Sequence, residues 1–148
     1  MASNWPTAKL GDVVDLFDSQ RVPLNSRQRQ ERRGKFPYYG AQGIIDHIDG
    51  YIFDGRYILV AEDGENLNSK KLPLALFATG KFWVNNHAHI LRGKPSIADD
   101  TFLLACLNNA DIKPNTDAMI MLFFASISSR FFKRYQELTQ MINKAATT

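Results

Sequence analysis

The sequence predicts an α/β (α+β) fold: a strongly curved, mostly antiparallel sheet of short strands covered by a helix, followed by a long C-terminal amphipathic helix. Three observations carry this reading. Short apolar runs separated by turn residues crowd residues 36–91, the apolar run Phe102–Leu107 follows an acidic start, and from Ile120 onward apolar residues recur at three- and four-residue steps. With 148 residues, 45% hydrophobic and 11% aromatic, the chain has the length of one domain and enough apolar surface to bury a core.

Trp5 to Phe17 alternates apolar and polar residues unevenly, a pattern that fits a helix or a strand, and offers Leu10, Val13, Val14, Leu16 and Phe17 to the core. Ser19 to Gly34 has no apolar period beyond Val22 and Leu24 and reads as a long exposed loop. Strands are expected at Phe36–Tyr39, Gly43–Ile48, Tyr51–Phe53, Tyr57–Ala61, Leu74–Phe77, Phe82–Val84 and His87–Leu91. Between them, Gly40–Gly43, Asp49–Gly50, Asp54–Gly55 and Asp63–Gly64 supply the positive-φ residues of tight reversals. Ser96 with Asp99 three residues on resembles a capping box for a helix over Phe102–Leu107 that ends near Asn108–Asn109. Pro114–Thr116 stop the chain, and a second helix runs to about Asn143, roughly 40 Å at 1.5 Å per residue. Its stripe of Ile120, Phe124, Ile127 and Phe131 either packs on the chain's own sheet or meets a partner or a second copy. The division expected is 1–112 for the sheet domain and 113–148 for the helix.

Composition narrows the function. The longest apolar run, Ala118–Ala125, falls far short of the ~18 residues that cross a bilayer, so no membrane role and a cytoplasmic location are expected. Cys106 is the only cysteine, which excludes an internal disulfide and a thiolate zinc site and makes it a small buried hydrophobe. Net charge is +3, but its distribution matters more: Arg21, Arg27, Arg29, Arg32, Arg33 and Lys35 are opposed over that segment by Glu31 alone. Clustered cations beside aromatics suit phosphates, Arg reaches guanine edges bidentately, and Asn25, Gln28 and Gln30 can pair with adenine. Against this stands the plain reading of a solvated loop with excess charge.

Other constellations are weaker. His87 and His89 lie two apart and share a strand face, but lack a third metal ligand, so two hydrogen-bonded strand residues are expected and no cofactor. Asp54, Glu62, Asp63 and Glu65 have the carboxylates of a metal-dependent nuclease, yet Lys70 and Lys71 fall too far along, and Asp54–Gly55 and Asp63–Gly64 read as turns. Neither a phosphate-binding Gly loop nor a nucleophile elbow is present, and no catalysis is expected.

Five strings in order carry a family resemblance: Lys9–Val14 (KLGDVV), Phe36–Ile45 (FPYYGAQGII), Tyr57–Gly64 (YILVAEDG), Gly80–Leu91 (GKFWVNNHAHIL) and Phe102–Asn108 (FLLACLN). Over about residues 8–112 the chain resembles a target-recognition domain of type I restriction-modification specificity subunits. The resemblance implies a curved-sheet domain that docks on double-stranded DNA and reads one half of a split target, with no catalytic activity of its own. Catalysis would belong to a partner, the methyltransferase (modification) subunit. Arg27, Arg29, Arg32, Arg33 and Lys35 would then contact DNA, aided by Lys70, Lys71 and Lys81 from neighbouring turns. After Asp111 the chain departs from the family pattern, passing from Pro114 straight into the apolar helix where a further strand is usual, as in a truncated or rearranged frame. The competing reading is a protein-interaction module whose C-terminal helix forms a homodimer or binds the modification subunit, with weak or no DNA binding.

Overall fold

A computed structural model of the chain describes residues 8–62, 69, 71–109 and 144. Its described elements are α1 (Leu10–Val13), β1 (Val14–Leu16), a 3-10 turn (Asp18–Gln20), α2 (Ser26–Glu31), β2 (Arg33–Gly40), β3 (Gly43–Ile48), β4 (Phe53–Ala61), β5 (Ala75–Val84), β6 (Ala88–Gly93) and α3 (Asp100–Asn108). The strands form one sheet in the order β1-β6-β4-β5-β2-β3. Every pairing is antiparallel except β2 with β5. The mixed α/β class and the mostly antiparallel sheet expected from the sequence are therefore present. The predicted second helix, with Ile120, Phe124, Ile127 and Phe131, lies outside the described residues, as do the Asp63–Gly64 turn and Lys70.

Alternation along β4 builds two cores at once. Ile58 and Val60 face one side and join Val13, Leu91, Leu103 and Leu107 under α3. Tyr57 and Leu59 face the other and join Tyr39, Phe53, Phe82, Val84 and Ile90. That second cluster draws on β2, β4, β5 and β6 together, so the sheet curls around it. Its rings meet edge-on and stacked: Phe53 on Phe82 at 5.5 Å, Tyr39 on Phe82 at 5.5 Å and Phe17 on Tyr57 at 5.2 Å.

Four expectations are corrected. Phe53 and the run 57–61 belong to one continuous strand, β4, with Tyr51 and Ile52 before it, and 75–77 and 82–84 likewise merge into β5. Gly55 and Gly80, at φ +136° and +77°, face one another across the β4/β5 ladder. The ladder runs in unbroken register through this glycine pair, where Asp54–Gly55 was expected to end it. α3 is capped by Asp99, whose carboxylate accepts the Phe102 N–H at 2.9 Å, while Ser96 sits in the preceding turn at φ 63°. His87 precedes β6, which begins at Ala88, so the two histidines do not line one strand face.

α3 is anchored at its end by Asn108, whose amide donates to the Ala75 carbonyl at 3.0 Å and accepts the Ala75 N–H at 2.7 Å. It thus satisfies the start of β5 as a neighbouring strand would. Cys106 is half-buried, and burial pushes its thiol up to about 11. No helix of the described residues is long and apolar enough to cross a membrane.

Candidate nucleic-acid interface

The segment expected to be a loop contains α2, a six-residue helix with no buried residue. Its start is a capping box: Asn25 accepts the Gln28 N–H at 2.9 Å, and the Gln28 side chain accepts the Asn25 N–H at 2.9 Å. With no apolar face, the helix has no period for a sequence reading to find. The Asn-x-x-Gln spacing was the available signal.

What holds α2 on the sheet is polar and aromatic. Arg29 donates to the Leu24 carbonyl at 2.7 Å and to Asp46 at 3.1 Å, with its guanidinium 5.2 Å from the Tyr38 ring centroid. Arg32 donates to Asp49 at 2.9 Å and lies 4.9 Å from the centre of Trp83. The same two rings fix the irregular segment leading into the helix: the Tyr38 hydroxyl accepts the Leu24 N–H at 2.9 Å, and Trp83 Nε1 donates to the Val22 carbonyl at 2.7 Å. The Asp46 carboxyl is held below its ordinary value: the His47 backbone N–H lowers it most, burial opposes this, and the hydrogen bond and charge of Arg29 and the charge of Arg33 lower it further.

A second polar lock secures the start of this segment. Asp18 accepts the Ile90 N–H at 2.9 Å and meets His89 Nδ1 at 2.5 Å, and Arg21 bridges to Glu62 at 3.0 Å and to the Ala88 carbonyl at 2.9 Å. Burial raises the Asp18 pKa, but the His89 and Ile90 hydrogen bonds and the His89 and Arg21 charges outweigh it, and the net shift is downward. Arg21, with its side chain 16% exposed, is spent inside the fold and is not part of a free basic surface.

The predicted cations therefore divide. Arg29 and Arg32 position α2 and are 20% and 38% exposed. Arg27 makes an i,i+4 pair with Glu31, but at 87% and 62% exposure the pair is open to water and exchangeable. Arg33, Lys35 and Lys81 are exposed, and no carboxylate of the described residues forms an ion pair with them. Lys81 stands within β5, not in a turn as expected, 4.8 Å from the Tyr51 ring centre; Lys35 lies 5.4 Å from that of Phe36. Lys71 is exposed before the opposite end of β5; the six steps from Ala75 to Lys81 span roughly 20 Å of strand, so the fold does not bring it to this patch.

Of the acidic residues, Asp63 and Glu65 lie outside the described residues, and Asp54 and Glu62 stand apart. Asp54 begins β4 opposite Lys81, whereas Glu62 follows the other end of that strand. His89 is buried against Asp18 and His87 is exposed. Among the described residues no group of three His, Cys, Asp or Glu side chains is placed to hold a metal ion.

Comparison with known proteins gives a consistent result. The sequence profile of the family described as type I restriction modification DNA specificity domain matches residues 2–136. A putative type I restriction enzyme specificity subunit from Haemophilus influenzae is 37% identical over 106 residues, which are 71% of this chain and 26% of that protein. The chain thus spans about a quarter of the length of that curated relative. Among solved structures, a type I restriction-modification S subunit from M. genitalium superposes with TM-score 0.59 at 15% identity, over 96% of this chain and 42% of the other. The HsdS subunit from Thermoanaerobacter tengcongensis gives 0.52 at 13% identity, over 99% and 39%.

Proposed function

The chain belongs to the type I restriction-modification DNA specificity domain family, and from that premise we propose that it reads duplex DNA, contributing one half of a bipartite target. Specificity subunits of these systems are non-catalytic, so the proposed task is recognition. Residues 1–112 form the reading unit of this proposal and 113–148 an interaction element for the methyltransferase subunit.

The observation that carries the reading is the set of Arg33, Lys35 and Lys81, exposed cations unpaired among the described carboxylates, together with Arg27 on α2 in a pair that solvent screens. A polyanion can displace Glu31 from Arg27 at little cost, because exposed pairs contribute about 0–1 kcal/mol. Arg29 and Arg32 have a different role here: they orient α2, and their remaining N–H groups reach DNA only if Asp46 and Asp49 yield. Backing by Tyr38 and Trp83 keeps these cations in fixed positions, which lowers the entropy lost on binding.

The test is a titration of the chain against duplexes enriched from a randomised pool, repeated across salt. Four phosphate contacts, from Arg27, Arg33, Lys35 and Lys81, predict a log-log slope of about −3.6, at about −0.9 per contact. Salt-independent binding, or none, would overturn the proposal.

A further inference from the structure

Tyr51 joins none of the apolar cores, although the two residues that follow it do. It is 42% exposed, in the link from β3 to β4, while Ile52 and Phe53 beside it pack inward. Its backbone is nevertheless pinned on both sides: the Asp49 N–H donates to the Arg32 carbonyl at 2.7 Å, and the Ile52 N–H donates to the Phe82 carbonyl at 3.1 Å. An exposed aromatic on an anchored turn keeps its orientation without burying its face.

The surroundings of that ring are specific. Phe36 lies 5.1 Å away with the planes tilted by 56°, Lys81 is 4.8 Å from its centre, and Lys35 sits over Phe36 at 5.4 Å. The nearest acids do not neutralise the pair of lysines. Asp49 is taken by Arg32, and Asp54 faces Lys81 in register without forming an ion pair. Two partly exposed aromatic rings framed by two ammonium groups match the backbone of a nucleotide, which offers a sugar face beside its phosphate.

Resting on the DNA-reading proposal, we infer that Tyr51 and Phe36 form an apolar shelf for a deoxyribose of the duplex backbone, with Lys35 and Lys81 taking the flanking phosphates. The shelf would supply the part of the affinity that salt does not screen. Contact with a sugar carries no sequence information, so the shelf adds grip and register, while base choice rests on other side chains.

The experiment compares the whole chain with Tyr51→Ala, Tyr51→Phe and Lys81→Ala by anisotropy on duplexes enriched by the wild-type protein, with thermal melts to confirm folding. Tyr51→Ala should weaken binding by on the order of tenfold while keeping the wild-type salt slope, and Tyr51→Phe should bind as the wild type does. Lys81→Ala should instead make the slope shallower by about 0.9. If the wild type binds and Tyr51→Ala binds equally well, or changes the slope, the shelf is overturned and DNA reading stands. If the wild type itself fails to bind, the DNA reading falls, and this inference with it.

Discussion

α2 and α3 are two short helices attached to one sheet, and they are held by opposite means. α3 buries Leu103 and Leu107 against Ile58, Val60 and Leu91. α2 buries nothing and is fastened by guanidinium groups over Tyr38 and Trp83 and by carboxylates on β3 and just after it. The difference is one of purpose as well as of means. Apolar burial is indifferent to salt and needs no charge, which suits an element that closes a core. A helix held by ion pairs and cation–π contacts keeps its polar surface in water, where it can meet a polyanion.

The comparison breaks most visibly at Leu103, which is fully buried. Leu103→Ala removes most of a side chain and leaves a cavity, at a cost of about 2–5 kcal/mol. Urea unfolding should register that loss, and the folded fraction should keep the wild-type salt dependence on DNA. A change in salt slope would mean that the two regions are not independent.

Next in size is Gly34, between Arg33 and Lys35. There β2 makes a bulge against Ile48, and an added Cβ would stand 2.4 Å from the Asp49 Cα and 2.5 Å from the Ile48 carbonyl oxygen. Both are backbone atoms, so no side chain can give way. Gly34→Ala should cost about 1–3 kcal/mol as the strands part, and it should weaken DNA binding because Lys35 and Phe36 move with β2.

A smaller effect separates the regions by pH. Asp18 has a pKa below its ordinary 3.8 in the folded chain. A carboxyl depressed by folding adds stability that is present above its unfolded value and lost as the pH falls through the folded one. Stability should therefore decline with acidification below about 3.8, and Asp18→Asn should flatten that decline. An unchanged acid limb would show that the Asp18–His89 contact contributes nothing to holding residues 18–21.

These differences explain what the sequence made legible. α3 announced itself because an apolar run reports burial, and β3 because the turn signals Gly40–Gly43 and Asp49–Gly50 bound it. Gly55 misled, because a glycine at positive φ occurs in a turn or within a strand, and only its pairing in register with Gly80 decides between them. α2 was invisible to periodicity because nothing on it is buried. In the basic run the charges could be counted, but not their partners: Asp46 and Asp49 are 17 residues from Arg29 and Arg32 and reach them only once β3 has folded back along β2. Tyr51 was taken for an ordinary strand residue, since exposure is a property of the fold.

The smallest expected effect is also the most discriminating. Arg27 lies on the outer face of α2, 87% exposed, with Glu31 as its one described ionic partner. If α2 is merely a solvated surface helix, Arg27→Ala changes nothing beyond about 0.5 kcal/mol of stability. If it is a phosphate contact, stability still changes by no more than that, but the DNA salt slope becomes shallower by about 0.9. Glu31→Gln sharpens the point, because it frees the guanidinium without removing it and should tighten DNA binding slightly. The pair of variants therefore moves binding in opposite directions while leaving the melt in place, a result that a purely structural Arg27–Glu31 pair would not give.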